Sequence, residues 1–511
     1  MSPRLFLYAL IFVGFLIRLI FALTHDNHLG VDGGAYILGL RQLLGSDVPG
    51  GFSRQPLAPG LQLWPFISLF GDDNGYKIWA AIAATTPIPA VYMLGRLFLT
   101  KWQSVFAAGF VSLDMLHAEM FVTGPLPLEG FSLIAVGIWA ITKIARYDND
   151  YKEIAILALV VPLIAHVNHT SAGIALLVFP TYMIALNGFY SGLPGFQVKT
   201  LTKPLSWPVR ILITPVSQFP SVGGLIIGSL LALTALPYYL DVKPFGGMLD
   251  YPGSWIYFTY FPDSSWFQLI ISAPLAFWAM RYSDNHVIKA FGALITLQAV
   301  LGVFISTDET IINIFYRSRY LLAFWFYPVI TWVVFKYWWK PVTSISRPLA
   351  FAAMLLFVGL TGWEWYNSIH GQAKYSDMVT VETEQAIKII NQDNQNNEGI
   401  ISSAFTMSLW VSALTEVESP HPWTWQPPKR WRESDVQVRC VLGWVKNCDP
   451  VASAKTLNIR YILIDTIHPY YNGRAPGYFG QPDKKPWSHT ENANWLTLKF
   501  DRGHTKLWKV N

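Results

Sequence analysis

The stretch HDNHLGVDGGAY, residues 25–36, places an acid, Asp32, directly before a Gly-Gly-Ala-Tyr helix start. An ionisable group beside an apolar run is costly to keep there, so Asp32 is a candidate functional residue. It can also be an N-cap, because Asp accepts a hydrogen bond from an unpaired N–H group in the first turn of a helix. A functional role and a capping role are compatible, and both are kept for Asp32.

Other ionisable groups also stand at the ends of apolar runs, where they could bind a ligand or pair with one another. We expect Asp72 and Asp73 in LFGDDNGY to be solvated turn residues. The candidates for substrate binding are Asp114, His117 and Glu119 in SLDMLHAEM, Glu129 in TGPLPLEGF, His166 and His169 in IAHVNHTSAG, and Arg317 and Arg319 in IFYRSRY. Each also has a structural alternative, such as an internal pair, a helix-dipole interaction, a packed turn or an interface anchor. The acids and histidines leave a divalent-cation site open, but no ligand spacing specifies a metal or another cofactor.

The elements that position these groups are apolar. Of the 511 residues, 52% are hydrophobic and only 14% are charged, whereas soluble domains carry roughly 25% charged residues. Runs of about the length that crosses a bilayer occupy residues 5–23, 78–99, 103–122, 125–142, 154–168, 170–187, 222–240, 266–280, 287–306, 319–335 and 348–363. The sequence therefore predicts a polytopic all-α membrane domain, residues 1–363, with about eleven transmembrane helices. Ionisable groups inside such a domain are costly and mark functional sites.

The distribution of lysine and arginine predicts the orientation of this domain. With the N-terminus inside, most of the basic residues before residue 364 fall in the inside connections, as the positive-inside rule requires. This predicts a multi-pass plasma-membrane protein with a cytoplasmic N-terminus and outer-face loops at 24–77 and 241–265. Nearly all of the candidate groups then lie at the outer face. The basic residues follow the membrane topology and predict no nucleic-acid partner.

Residues 364–511 are more polar and predict a small extracytoplasmic α/β domain. Strand-like runs lie at 399–405, 459–467 and 495–510, and EQAIKIINQ has apolar residues at helical spacing. Both cysteines of the chain, Cys440 and Cys448, fall in this domain. Outside the cytosol such a close pair favours a disulfide over two buried thiols. No second Cys/His pair stands at the spacing of a zinc site.

The order of these pieces resembles the GT-C glycosyltransferases, notably the branch of protein O-mannosyltransferases and aminoarabinose transferases that use polyprenyl-phosphate sugars. The resemblance is carried mainly by residues 5–145. In this region a first span ends in an acidic outer loop, and the Pro-rich stretch FSRQPLAPGLQLWPFISLFGDDNGY leads into the second long span. A soluble domain often follows the last span in that family too. The family often has two adjacent acids in the first loop, whereas here Gly33 follows Asp32.

The resemblance implies a donor and a division of roles among the candidate residues. The donor would be a lipid-linked sugar phosphate that enters from the outer leaflet, and Asp32 would be the general base that activates the acceptor hydroxyl. The phosphate leaving group would be held by Arg319, Arg317 or Arg54. The sugar hydroxyls or the acceptor would be bound by Glu119, Glu129 or His117. The acceptor could be a protein, a glycan or a lipid.

Two other classes of function stay open at this point. A transporter would use the same ionisable groups as a substrate path, although the sequence has no evident inverted repeat. A catalytically idle GT-C-like subunit of a membrane complex would need no second acid beside Asp32. A groove open to lipid favours the enzyme, a through-path favours the transporter, and a collapsed or partner-filled cavity favours the scaffold.

Overall fold

A bundle of helices is followed by a small mixed sheet near the C-terminus. The computed structural model describes residues 2–25, 28–30, 33–45, 57–146, 151–191, 220–235, 263–304, 309–339, 343, 347–376, 379–393, 399–402, 410–411, 413–415, 437, 440–441, 447–465 and 493–511.

The described residues of the N-terminal part are almost entirely helical. The helices are α1 (Pro3–Thr24), α2 (Gly33–Leu43), α3 (Leu57–Phe70), α4 (Asp72–Ala83), α5 (Pro87–Gly95), α6 (Lys101–Ser112), α7 (Met115–Thr123), α8 (Leu126–Arg146), α9 (Tyr151–Val167), α10 (His169–Ser191), α11 (Pro220–Ala232), α12 (Asp263–Tyr282), α13 (His286–Phe304), α14 (Glu309–Val333) and α15 (Arg347–Ser376). A 3₁₀ turn, Leu233–Ala235, follows α11, and a π-helical stretch, Val334–Trp339, extends α14.

Four helical segments in the described part of the chain are long and apolar enough to cross a membrane. They are Pro3–Thr24, Asp72–Gly95, Leu126–Ala145 and Leu321–Trp339, and two shorter apolar helices are Ser171–Leu186 and Gly223–Ala235. The helical architecture predicted for residues 1–363 is thus confirmed in outline. The number of eleven spans remains a prediction.

The apolar run 103–122, which we expected to be one span, forms two helices. The first, α6, begins with a capping box between Thr100 and Gln103 and ends at Ser112. Asp114 then adopts an extended conformation, and its side chain accepts a hydrogen bond from the His117 N–H as the N-cap of α7. A polar N-cap inside an apolar run starts a new helix because it satisfies an otherwise unpaired N–H group. The continuous span predicted here was therefore wrong.

The region predicted as the outer loop 24–77 is also more ordered than a loop. It contains α2, α3 and the beginning of α4, and Gly71 separates the last two with a φ of 78°. Pro65 lies inside α3, where it lacks the N–H group that would continue the backbone hydrogen bonds of the helix. The described helices of this region contact one another, and α4 also contacts α1.

Small residues let the long helices approach closely. A Cβ on Gly228 of α11 would lie 2.8 Å from the Val161 Cβ of α9, and a Cβ on Gly137 of α8 would lie 2.5 Å from the Phe179 ring of α10. Close backbone contact of this kind is how helices associate in a bilayer, because lipid tails remove the hydrophobic driving force between them.

The C-terminal part combines a short sheet with two helices. Its elements are α16 (Val381–Asp393), β1 (Gly399–Ser402), α17 (Pro450–Thr456), β2 (Ile459–Asp465), β3 (Leu496–Arg502) and β4 (Thr505–Val510). The strand order is β1-β2-β4-β3, with β1 parallel to β2 and the other pairs antiparallel. The strands and the helix lie where the sequence pattern predicted them. The extracytoplasmic location of the domain stays a prediction.

Cys440 and Cys448 form a disulfide with a Cα–Cα distance of 6.0 Å, as predicted. Replacing both cysteines by serine is expected to destabilise the C-terminal domain by roughly 2–3 kcal/mol, since the bond closes a short loop in the unfolded chain. Hydrogen exchange at β2 and β4 in the full-length protein measures this loss. Alkylation of both thiols in unreduced, denatured protein would contradict the bond itself.

An acid-sensitive contact joins α16 to the sheet. Asp393 accepts hydrogen bonds from Lys509 Nζ at 2.6 Å and from the Tyr461 hydroxyl at 3.0 Å. The hydrogen bond from Lys509 is the main cause that lowers the pKa of the Asp393 carboxyl below its ordinary value. Because the folded pKa is depressed, this contact stabilises the domain above about pH 3.9, the ordinary Asp value, and is lost as the pH falls through the folded pKa.

We therefore expect Asp393→Asn to weaken the domain slightly at pH 7 and to have no effect at a pH below the folded pKa. The effect is small because the pair is partly solvated. Hydrogen exchange at β4, compared with wild type at each pH, provides the measurement. An equal deficit at both pH values would show that the charge of Asp393 does not matter.

Candidate functional site

The turn between α1 and α2 is tightly constrained at both ends. Gly30 has a φ of 92°, and its carbonyl oxygen accepts hydrogen bonds from the Gly33 N–H at 3.3 Å and from Trp410 Nε1 at 2.8 Å. A Cβ on Gly30 would lie 2.5 Å from the Tyr76 hydroxyl oxygen, so both the backbone conformation and the space require glycine. Asp32 lies between these glycines in sequence but outside the described residues, and its catalytic role stays a prediction.

A charged network lies beside this turn. The buried His28 ring has Nδ1 at 2.8 Å from Asp73 Oδ1 and Nε2 at 3.2 Å from Glu384 Oε1. Lys77 Nζ lies 2.8 Å from Asp73 Oδ2 and donates to the His25 carbonyl oxygen at 2.9 Å. The network therefore joins three segments of the chain: the first turn, α4 and α16.

Asp72 and Asp73 are thus ion-pairing residues, and our expectation of solvated turn residues was wrong for both. Asp72 Oδ2 accepts a hydrogen bond from Arg41 at 2.9 Å, which links α4 to α2. Asp73 lies between His28 and Lys77, both of which are almost completely buried. The burial of His28 and Lys77 explains why both pair with Asp73, since a charged group removed from water requires a partner.

Asp114 and His117 occupy the junction between α7 and α14. Both are buried, with 1% of their surface exposed. Asp114 Oδ1 accepts from the His117 N–H at 3.0 Å, and Asp114 Oδ2 accepts from the Tyr327 hydroxyl at 2.6 Å. The His117 ring packs against Phe324 with a centroid distance of 5.5 Å. Asp114 therefore caps α7 and at the same time joins this helix to α14.

Tyr327 fixes Asp114 to the helix that carries the two candidate arginines. Arg319 and Arg317 lie eight and ten residues before Tyr327 in α14, which is about 12 and 15 Å along a helix. Their side chains lie outside the described part of the structure. The helix position is thus known, and the anion-binding role stays a prediction.

Arg18 connects α1 to the end of α6, two residues before Asp114. Its guanidinium group is buried, donates to the Gly14 and Ser112 carbonyl oxygens at 3.0 Å each, and lies 5.6 Å from the centroid of the Trp365 ring. Ser112 immediately precedes the break that leads to Asp114. A guanidinium group buried in an apolar bundle is costly unless its N–H groups are used, so Arg18 fixes α1 against the end of α6.

Glu129 contributes to a contact between α3 and α8. Gln62 Nε2 donates to Glu129 Oε1 across this interface. The adjacent Gly130 allows Ser171 at the start of α10 to approach the α8 backbone closely. Glu129 therefore has a polar partner from the Pro-rich stretch, and its role in ligand binding stays a prediction.

His166 lies in the last turn of α9, and Asn168 separates this helix from α10. His166 Nε2 lies 2.9 Å from the Thr234 hydroxyl oxygen, and Asn168 Oδ1 accepts from the Ser171 N–H at 3.1 Å as a cap of α10. The structure thus supports packed polar roles for these two residues. His169 lies in the first turn of α10, and its side chain is outside the described part.

The side chains of two further predicted site residues lie outside the described part of the structure. Arg54 lies outside the described residues, and Glu119 lies in α7 with its side chain outside them. Within the described residues, no group of three or more Asp, Glu, His or Cys side chains is arranged to hold a metal ion.

Sequence reasoning missed four residues that surround the first turn: His28, Lys77, Glu384 and Trp410. The cost of burying His28 and Lys77 near an apolar run was a usable signal. Glu384 and Trp410 gave no such signal because their partners lie hundreds of residues away.

The described helices and the C-terminal sheet have a fold that several solved glycosyltransferase structures share. The chain has a TM-score of 0.60 with the Archaeoglobus fulgidus oligosaccharyltransferase in complex with Zn and sulfate, at 11% identity, and the match covers 96% of this chain and 71% of that one. The oligosaccharyltransferase AglB from the same organism, in complex with an inhibitory peptide and a dolichol-phosphate, gives a TM-score of 0.58 at 12% identity, covering 97% of this chain and 72% of that one.

A third similar structure is the arabinofuranosyltransferase AftD from Mycobacteria. Its TM-score is 0.61 at 13% identity, and this chain is covered completely but spans only 40% of AftD. The chain matches no protein-family model and no curated protein sequence. At these identities the similarity establishes the fold, and the fold is that of GT-C membrane glycosyltransferases.

Proposed function

We propose that this protein is a membrane glycosyltransferase that transfers a sugar from a polyprenyl-phosphate carrier at the outer face of the membrane. The observation that carries the proposal is the GT-C fold, which extends over 96% of the chain and includes the C-terminal domain. Fold alone does not define function. The constrained first turn around Gly30 and Gly33 supplies the second line of support, since an acidic first loop is where the resemblance puts the general base.

The proposed donor follows from the chemistry of the similar structures. The AglB structure contains a dolichol-phosphate and a peptide. A lipid-linked sugar phosphate is insoluble in water, so it must reach the site from the bilayer. The phosphate would be held by Arg319 or Arg317, with Arg54 as a further candidate. A guanidinium group binds phosphate with two parallel hydrogen bonds, which a single amine cannot reproduce.

In the proposed reaction Asp32 removes the proton of the acceptor hydroxyl. The oxygen attacks the anomeric carbon, a new C–O bond forms, and the bond between this carbon and the phosphate oxygen breaks. The polyprenyl phosphate leaves with the bonding electron pair, and the arginine stabilises the charge of the phosphate. Glu119, Glu129 and His117 would bind sugar hydroxyls or orient the acceptor.

Asp114 and His169 are proposed to line the same region. His166 is the weaker candidate of the histidine pair, because the Thr234 hydroxyl already occupies its Nε2.

The proposal requires that the site and the C-terminal domain face the outside. We expect a cytoplasmic N-terminus and an extracytoplasmic C-terminus in the plasma membrane, from the distribution of basic residues. The disulfide agrees with this location, since such bonds persist in oxidising compartments. A reporter fused after Asn511 should be active only if it functions outside the cytosol. Activity of a cytosol-specific reporter at this position would reverse the orientation.

The test of the function is a comparison of lipids and glycans by mass spectrometry. Cells that lack this protein should accumulate a sugar-loaded polyprenyl phosphate and lose a corresponding glycan, and the wild-type chain should restore both. No difference in either pool would contradict the proposed activity. The mass difference of the lost product also identifies the sugar, which the structure leaves open.

A second candidate function, a catalytically idle scaffold of a membrane complex, is favoured by one observation. Both carboxylate oxygens of Asp114 have structural partners, the His117 N–H and the Tyr327 hydroxyl. This candidate predicts that a chain with Asp32→Asn restores the glycan as well as wild type does. The enzyme proposal predicts that it does not.

A further inference from the structure

Trp410 belongs to the C-terminal domain but is buried against the first turn of the chain. Its side chain has 0% exposure, and Nε1 donates to the Gly30 carbonyl oxygen at 2.8 Å. Its ring lies 4.8 Å from the His28 ring and makes an edge contact with Tyr76 at 5.8 Å. The indole therefore fills the space between the first turn and α4.

The other end of the turn packs against the same ring. A Cβ on Gly33 would collide with the six-membered ring of Trp410. Gly33 also donates its N–H to the Gly30 carbonyl oxygen. One side chain thus contacts both residues that flank the two-residue segment containing Asp32.

A second contact from the C-terminal domain reinforces the first. The His28 N–H donates to the Val379 carbonyl oxygen at 3.4 Å, and the His28 ring lies between Asp73 and Glu384. Glu384 is on α16, so both the polar and the apolar contacts come from the segment after residue 378. The acidic turn is therefore supported from the C-terminal side as well as by its own helices.

We propose that Trp410 is a positioning residue: it holds the turn that carries Asp32 in its working conformation, and the C-terminal domain thereby takes part in building the active site. This proposal rests on the function proposed above. The physical reason is that a catalytic carboxylate displaced by about 1 Å loses a large part of its effect. The Trp410 hydrogen bond and ring contact limit such displacement at both flanking residues.

The test compares Trp410→Phe and Trp410→Ala with wild type in the full-length protein. Trp410→Phe keeps an aromatic ring and removes the N–H donor, whereas Trp410→Ala removes both contacts. Trp508→Phe is the matched control, since Trp508 is also buried in the C-terminal domain but packs in the separate cluster with Val441 and Ile462. All variants are assayed for amide hydrogen exchange, for binding of dolichyl phosphate and for glycan transfer in membranes from cells that lack the protein.

Exchange at peptides covering residues 28–40 should rise about tenfold in Trp410→Phe, the effect of losing one buried hydrogen bond, and further in Trp410→Ala. Trp508→Phe should leave these peptides unchanged. Transfer should fall in the same order while dolichyl phosphate affinity stays at the wild-type value, because the donor site does not depend on the turn. Loss of both binding and transfer would indicate general misfolding and would overturn the positioning role.

A double-mutant cycle of Gly33 and Trp410 tests the contact between these two residues directly. Gly33→Ala alone should disturb the turn through its collision with Trp410, and adding Trp410→Ala should cost less than the sum of the two single effects, since both act on one contact. Additive effects, or unchanged exchange in Trp410→Ala, would overturn the proposal. Raised exchange in Trp410→Ala together with no glycan transfer by the wild-type chain would support the contact between Trp410 and the turn and reject the proposed function. Failure of the positioning role and failure of the proposed function are therefore distinguishable.

Discussion

Asp32→Asn is expected to lower glycan transfer by about 100-fold or more, the usual range when a general base is lost, while the protein remains folded and membrane-inserted. Asparagine keeps the shape of the side chain and its capping oxygen but cannot accept the acceptor's proton. Asn and Asp are comparable N-caps, so the first turn and α2 should be preserved. The rate of product formation in membranes measures the loss.

Asp72→Asn is the matched control for this substitution. Asp72 is an acid at the start of α4 whose carboxylate pairs with Arg41, so its replacement removes an equal charge and keeps the proposed base in the sequence. We expect it to retain most of the transfer activity. If a folded Asp32→Asn protein has near-normal transfer, the base is a different acid, Glu119 or Glu129, or the scaffold function is correct.

Arg319→Lys and Arg317→Lys are expected to have the second largest effect. Lysine keeps the positive charge but lacks the planar group that binds phosphate through two hydrogen bonds. Loss of one charge-assisted hydrogen bond should weaken dolichyl phosphate binding by about tenfold or more in whichever variant alters the phosphate site. The affinity of the purified full-length protein for dolichyl phosphate is the measurement.

Arg281→Lys serves as the control for charge and residue type. Arg281 lies in the last turn of α12, where its guanidinium group is 5.6 Å from the centroid of the Tyr282 ring, and the topology predicts that it faces the cytoplasm. It should bind the lipid normally. Unchanged affinity in both the Arg317 and Arg319 variants would move the phosphate site, and Arg54 would then be the next residue to test.

The parts of the fold that follow local rules were predictable from the sequence. The predicted runs at 459–467 and 495–510 alternate or cluster β-forming residues; the first forms β2, and the second contains both β3 and β4. The Cys440–Cys448 bond was predictable because its partners are close in sequence. The helical character of residues 1–363 followed from apolar composition, which needs no knowledge of the tertiary structure.

Contacts between distant segments were not predictable in the same way. The break at Asp114 was missed because hydropathy averages over a window and does not register a single polar cap. Asp73 was expected to be solvated because turn acids usually are, and only the folded chain reveals His28 and Lys77 beside it. The side chains that support the first turn could therefore not be identified from the sequence, because their partners come from distant segments.

The hydrogen bond between Trp410 and Gly30 joins residues 380 positions apart. The N-terminal helix is made and inserted long before Trp410 leaves the ribosome, and local contacts form much earlier than such distant ones. The first turn therefore lacks its contact with the Trp410 indole while the later spans are inserted. On the proposed function, the active site would be completed among the last steps of biogenesis, and a chain truncated before residue 410 would reach the membrane as an inactive intermediate.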